Sequence, residues 1–340
     1  MKEFPPIDEK IASGLMKQFW AEMVHRQNVE FGRAADFNVN KKLISKVKGK
    51  GSWLEQLKRI GGFFESTNLL TYIGGTERRP YLGLMLLYAL KEREYNSWNE
   101  RCLTALVLLT APNPMFSQNY ISLFNIGEHA ISRLFLRKPS HERHGNGLVK
   151  IDSILDDIRP LGAWAAFWHH RLVRNKQLYD HRDQLSPIVP SPSGLFLCRF
   201  SQGPEAQLEV RTFIGKSDFK KSQEKIHDLL SSACEGFLVS PLAFSPFVEK
   251  LGYDYPKLLT QIMCLRLVSH AEDLGKQLVE KIEDRALASS LKSELVTTLE
   301  REKGPVENDD LLSKVGLESF LEMGRNAAQK DVKTREFLVN

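Results

Sequence analysis

No apolar stretch in this 340-residue chain approaches membrane-spanning length. The longest, Leu82 to Leu90, has Gly83 in it and falls far short of the roughly 18 to 20 residues a spanning helix needs. Cysteine is scarce. Cys102, Cys198, Cys234 and Cys264 lie far apart among apolar neighbours, with no CxxC pair, and read as buried thiols in a reducing compartment. The opening MKEFPPIDEK has acids and prolines where a secretion signal needs an apolar run of roughly 7 to 15 residues, so a cytoplasmic location without membrane attachment is expected. Several catalytic templates are missing. There is no GxxxxGK[ST] phosphate loop, since Gly49-Lys50-Gly51-Ser52 lacks the first glycine at the right distance. GxSxG and HExxH are absent too, which removes the nucleotide triphosphatase, serine-hydrolase and zinc-protease readings. Neither internal repeats nor low-complexity tracts appear beyond the proline-rich turn PIVPSPSG.

What is present fits an ordinary globular chain: 42% hydrophobic and 26% charged residues, with length for about two packed units. The net charge of +5 is small, but its distribution is uneven. From His270 onward 11 basic residues face 15 acidic ones, a net of −4, leaving +9 on residues 1–269. Lys41, Lys42, Lys46, Lys48, Lys50, Lys58 and Arg59 face a single acid, Glu55. Such a run neutralises phosphates and steers a polyanion, or else is a solvated helix face with scattered lysines.

Apolar spacing predicts a mainly α protein: a helical bundle with one small β-hairpin, flanked by N- and C-terminal helical segments. Ile11, Leu15, Phe19 and Met23 repeat at helical spacing, and a second helix is expected from Trp53 to about Phe64. Gly74-Gly75 reads as a turn, and the segments near 80–92, 98–110 and 118–136 as three helices. A further helix runs from about Lys150 toward Leu185, interrupted at Pro160. Leu195–Phe200 and Leu208–Ile214 form the hairpin, and Ser217 is placed to cap the next helix. Helices then follow through 256–302 and 308–328. The implied division is a basic segment over 1–75, the bundle with its hairpin over 76–238, and an acidic helical segment over 239–340.

Chemistry concentrates in one window. Five of the nine histidines, His141, His144, His169, His170 and His181, fall within 41 residues. Ten basic and six acidic residues share the region from Arg133 to Asp183, and a proton-transfer group amid positive charge suits a phosphodiester. If the chain stays helical from Arg171 to Asp183, Arg174 and His181 point nearly the same way, about 10.5 Å apart along the axis. Asn175, Leu178 and Arg182 then line the next stripe, with Arg171 one turn earlier.

An Arg followed by a polar residue and, after a few more positions, a His resembles the motif of the ribonuclease members of the HEPN superfamily of helical bundles. Arg174, Asn175 and His181 fit it with six residues intervening, at the upper end of the family's range. Arg137 and His144 share the spacing, but Lys138-Pro139 would break that helix. The resemblance implies metal-independent RNA cleavage without a cofactor, a role as a toxin or phage-defence effector, and a homodimer that pairs two motifs. His181 would move the proton of the 2′-hydroxyl or leaving group, Arg174 would stabilise the phosphorane and Asn175 would orient them, leaving 2′,3′-cyclic phosphate ends. Lys41, Lys42, Lys46, Lys48, Lys50, Arg171, Lys176 and Arg182 would hold the RNA. Asp180 and Asp183 depart from the pattern, positioning the histidine or tying up Arg174.

Two other readings stay open. One is a non-catalytic interaction or scaffold protein, binding nucleic acid or protein, whose acidic C-terminal helices dock a protein partner. The other is a metal-dependent phosphohydrolase with His227-Asp228, His181, His270 and Asp273 as ligands. His141-x-x-His144 with His169-His170 lacks a spaced cysteine or carboxylate to complete a familiar zinc site.

Overall fold

In the computed structural model the described residues are 7–39, 64, 67–76, 79–90, 101–110, 121–137, 151–202, 206–233, 263–264 and 266–302. Seven strands form one mixed sheet in the order β1-β2-β3-β4-β7-β6-β5. They are β1 (Asn68–Thr76), β2 (Arg79–Leu90), β3 (Cys102–Thr110), β4 (Ile121–Gly127), β5 (Ile188–Ser191), β6 (Gly194–Phe200) and β7 (Leu208–Gly215). Seven α-helices accompany them among the described residues: α1 (Glu9–Val39), α2 (Glu128–Arg137), α3 (Ile151–Arg174), α4 (Lys176–Asp180), α5 (Lys221–Ala233), α6 (Ala271–Val279) and α7 (Arg285–Glu302). Two antiparallel meanders, β1 to β4 and β5 to β7, join through one parallel pair, Phe124–Ile126 of β4 against Leu208–Val210 of β7.

The all-helical expectation is overturned by this sheet. The segments read as helices near 80–92 and 98–110 are β2 and β3, and 118–136 contains β4 followed by α2. The physical reason is visible in RPYLGLMLLYAL. Met85, Leu87 and Ala89 enter the helix-covered core, while Leu84 and Leu86 on the opposite face are also buried, at 0% and 1% exposure. A strand buried on both faces loses its polar alternation and reads as a continuous apolar run, here made of Leu, Met and Ala, good helix formers whose propensity tertiary pairing overrides. Gly74 and Gly75, read as a turn, sit inside β1 opposite Tyr81 and Pro80, so the expected boundary after residue 75 cuts through a strand.

Other elements form where the pattern places them. In α1, Leu15, Phe19 and Met23 are buried, although Ile11 is 47% exposed, and Asp8 caps the helix by accepting from Ile11 N at 2.7 Å. β6 and β7 pair antiparallel as the expected hairpin, but inside the sheet. Gly194 is dictated by that pairing, because a Cβ there would lie 2.0 Å from the Ile214 carbonyl oxygen. α3 runs through Pro160. Its Gly162 lets the helix approach the sheet, where a Cβ would meet Met85 Sδ at 2.9 Å. Trp164, Phe167 and Trp168 of α3 are buried with Phe196 and Phe200 of β6, the Trp168 and Phe200 rings lying edge-on at 6.0 Å. The helix expected from a Ser217 cap begins instead at Lys221, after a 3-10 turn over Lys216–Asp218. Gln223 Oε1 accepts the Lys220 N–H at 2.8 Å and starts α5 in a capping-box manner.

The helices expected over 53–64 and 308–328 lie outside the described residues, apart from Phe64. Among the described residues no helix is long and apolar enough to cross a membrane. Cys102, Cys198 and Cys264 are buried.

Candidate functional site

The Arg174–His181 segment is not one continuous helix. Asn175 adopts an extended conformation (φ −128°, ψ 100°), ends α3 and caps the short α4 by accepting from Leu178 N at 3.0 Å. His181 is the C-cap of α4. The seven-residue helical spacing that would put Arg174 and His181 on one face is thus broken between them. Asn175 is buried, and its Nδ2 donates to Glu294 Oε1 at 2.6 Å and Thr298 Oγ1 at 2.8 Å on α7. Its side chain is committed to holding α7, which is not the substrate-orienting role expected of it.

The expected RNA contacts divide. Arg171 is 0% exposed, with Nη2 2.6 Å from His170 Nδ1 and its guanidinium over the Phe167 ring, so it corrects to a core residue. Burial, together with the like charges of Arg174 and Arg301, pulls this guanidinium down to about 10, with Cys264 beside it opposing the shift. Arg174 and Lys176 are exposed and His181 is half-buried. Arg182 stacks on Tyr179 at 4.2 Å and donates to the carbonyls of Tyr179 (2.8 Å) and Gln202 (2.9 Å). Lys41, Lys42, Lys46, Lys48 and Lys50 lie outside the described residues, as do His141 and His144.

A different site emerges at the β5 edge of the sheet, where a groove of about 1100 Å³ opens between α5 and α6. One wall is anchored to β5 and the other to the residue that leads into it. On one side the buried Asp157 of α3 accepts from Ser191 Oγ, from Ser193 N at 2.9 Å and from Ser193 Oγ at 3.1 Å, fixing the β5–β6 turn. His227 of α5 meets the Ser191 carbonyl at 2.9 Å through Nε2. A carbonyl only accepts, so that nitrogen carries the proton, and α5 is locked to the turn. Arg266 holds the other end of α5 by donating to the carbonyls of Ser232 (2.9 Å) and Ala233 (3.1 Å). On the opposite wall Ser186 N donates to Leu278 O and Gln277 Nε2 to Ser186 O, both at 3.0 Å, tying α6 to the segment that leads into β5.

The apolar part of the groove is aliphatic. Ile188 and Leu197 come from the sheet, Ile226 and Leu229 from the flank of α5, and all four are half-buried. Exposed Lys220, Lys225, Lys276 and Lys281 stand around it, with Asp228, Asp273 and Glu280. Lys276 is 3.7 Å from Asp273, and Asp228 faces His227 Nδ1 at 3.3 Å. β5 itself carries Pro190, which blunts an edge strand against pairing with another chain.

Asp228, His270 and Asp273 line this groove, whereas His227 is buried against Ser191. Among the described residues no cluster of three or more His, Cys, Asp or Glu side chains is arranged to hold a metal ion. Asp228, His270 and Asp273 belong to the metal-ligand set expected from the sequence, while Ile188, Leu197, Leu229, Lys225 and Lys281 of the same lining carry no expected site role. The half-apolar flank of α5 was the available signal: Ile226 and Leu229 sit three apart beside Lys225.

Compared with known proteins, the chain matches no protein-family model, no curated protein and no solved structure.

Proposed function

We propose that this chain is a non-catalytic interaction protein that holds a polypeptide segment of a partner in the α5–α6 groove. One observation carries the reading: four half-buried aliphatic side chains line an open groove of about 1100 Å³, with one wall hydrogen-bonded to the edge strand and the other to the segment that leads into it. A preformed groove spares a partner much of the ordering cost of binding. α6 belongs to the acidic C-terminal part of the chain, where a protein partner was expected.

The test is a peptide-display selection on the full chain, with Leu229→Glu as the blocked counter-selection, after a thermal melt shows that variant folded. Leu197→Arg serves as the second block. Peptides that enrich on the unmodified chain and are lost on both variants support the reading. Enrichment that is indifferent to both overturns it.

Metal-independent RNA cleavage is the alternative proposal, supported by the solvent exposure of Arg174 and the partial exposure of His181. Its test is RNA incubated with the purified protein in EDTA. Cleavage to cyclic phosphate ends that disappears in both Arg174→Ala and His181→Ala would establish it and displace the interaction reading.

A further inference from the structure

Resting on the polypeptide-binding reading of the α5–α6 groove, we infer that its occupant is an acidic segment bearing aliphatic anchor residues, supplied by a partner protein. The charges that line the groove decide the sign. Asp273 is offset by Lys276, whereas Asp228 has only the His227 ring beside it, which is not a fixed charge. Lys220, Lys225 and Lys281 have no carboxylate partner among the described residues, and of the three lining acids Asp228 and Glu280 are left without a fixed cation, so lysines outnumber carboxylates three to two. The uncompensated charge of the groove is therefore positive.

The lysines stand on both walls, Lys220 and Lys225 at α5 and Lys281 just past α6. A segment lying along the groove meets a cation on each side of an aliphatic strip. Carboxylates flanking two or more leucine- or isoleucine-type side chains match that pattern. A basic segment meets the excess of lysine over carboxylate, and charge mismatch is a source of discrimination between partners.

The same lining selects a polypeptide over a single-stranded nucleic acid. Its described residues include no Phe, Tyr or Trp and a single imidazole, His270, so successive bases find no run of stacking platforms, whereas Ile188, Leu197, Ile226 and Leu229 suit branched aliphatic side chains. Lysine also fits an extended acidic chain, because its compact, mobile ammonium pairs with a carboxylate without the fixed fork that an arginine would impose.

Fluorescence anisotropy on the full chain tests this with four labelled probes of equal length: alternating Glu and Leu, alternating Gln and Leu, alternating Lys and Leu, and oligouridine. The acidic probe is expected to bind about tenfold or more tighter than the neutral one, and the preference to shrink between about 0.05 M and 0.3 M salt. Lys225→Glu with Lys281→Glu is expected to weaken the acidic probe about tenfold and to shift the preference toward the basic one. Both positions are exposed, and Lys225→Gln with Lys281→Gln gives a milder second pair. Equal or tighter binding of the neutral or basic probe overturns the inference, as does oligouridine that competes with the acidic probe. If display-selected peptides bind while the acidic probe does not, the charge assignment fails and the interaction reading stands. If no peptide of either kind binds, both fail.

Discussion

Asn175 and Glu294 meet at 2.6 Å although 119 positions separate them in the chain. The same amide reaches Thr298, and its carbonyl oxygen caps α4, so one buried side chain closes α3, opens α4 and fastens α7. Asn175→Ala removes a cap and leaves the buried Thr298 hydroxyl short of a donor, at a cost of about 2 to 3 kcal/mol. Asn175→Asp keeps the cap but sets a carboxylate against Glu294. Urea unfolding followed by far-UV circular dichroism is expected to show losses for both, with Asn175→Asp partly rescued by Glu294→Gln.

That residue also shows what could be read in advance. Its type, polar and next to an arginine seven positions before a histidine, suggested a catalytic neighbour, and nothing local announced a partner on α7. Elements with clear amphipathic patterning were legible: α1 from Leu15, Phe19 and Met23, most of α3, and the β6–β7 pair around its glycines and prolines. β2 and β3 were not, because Leu84 and Leu86 are buried on one face while Met85 and Leu87 are buried on the other. Periodicity vanishes when both faces are covered. The groove was illegible for a further reason. Ile188, Leu229 and Lys281 become neighbours only through the pairing of β5 into the sheet and the docking of α5 and α6 beside it.

The Asp157 carboxylate is fully buried and accepts from two serine hydroxyls and one backbone N–H of the β5–β6 turn. Truncation removes the acceptor that all three donors share. Asp157→Ala is expected to cost about 3 kcal/mol, at the upper end for a buried charged acceptor. In Asp157→Asn the remaining oxygen still accepts and the Ser193 hydroxyl can rotate to accept from the new amide, so most of the loss is recovered. Because the turn positions His227 and α5, Asp157→Ala should also weaken display-selected peptides under conditions where the protein is still folded. Unchanged peptide affinity would separate the turn from the groove.

Arg171 offers a contrast between charge and volume. It is fully buried against Phe167, and burial disfavours its charged form. Arg171→Ala removes a large packed side chain and is expected to destabilise the protein by about 3 kcal/mol. Arg171→Met keeps most of the volume and sheds the desolvated charge, so its loss should be clearly smaller. Equal losses in urea unfolding would mean that the guanidinium's hydrogen bonds outweigh its packing.

Ala206, just before β7, is the non-glycine residue with positive φ among the described residues, at 46°. An L side chain in that region costs about 1 to 2 kcal/mol relative to the right-handed conformations. Ala206 is also 3% exposed, so replacing it with glycine gives up a buried methyl worth about 0.8 kcal/mol. The strain outweighs the methyl, and Ala206→Gly is expected to raise the melting temperature slightly. Ala206→Val, β-branched and intolerant of that φ, should lower it by several degrees in the same calorimetric scan.

Burial pushes the Cys264 thiol up from 9.0 to about 11, although the Arg171 guanidinium beside it acts in the opposite direction. In the unfolded chain the thiol ionises near its ordinary value, so between 9.0 and about 11 the native state binds more protons than the unfolded one. The resulting contribution is fully present below pH 9.0 and is lost as pH rises through that window, on the order of 2 kcal/mol in all. Cys264→Ala removes the titration, so its urea midpoint should fall less steeply than that of the unmodified chain across the window. Chemistry follows the same direction: the neutral buried thiol reacts slowly with iodoacetamide at pH 8, and Arg171→Met, by removing the nearby cation, should slow it further. Mass-spectrometric mapping of the alkylated cysteine measures that rate, and faster labelling of Cys264 in Arg171→Met would show that the arginine shields the thiol more than it polarises it.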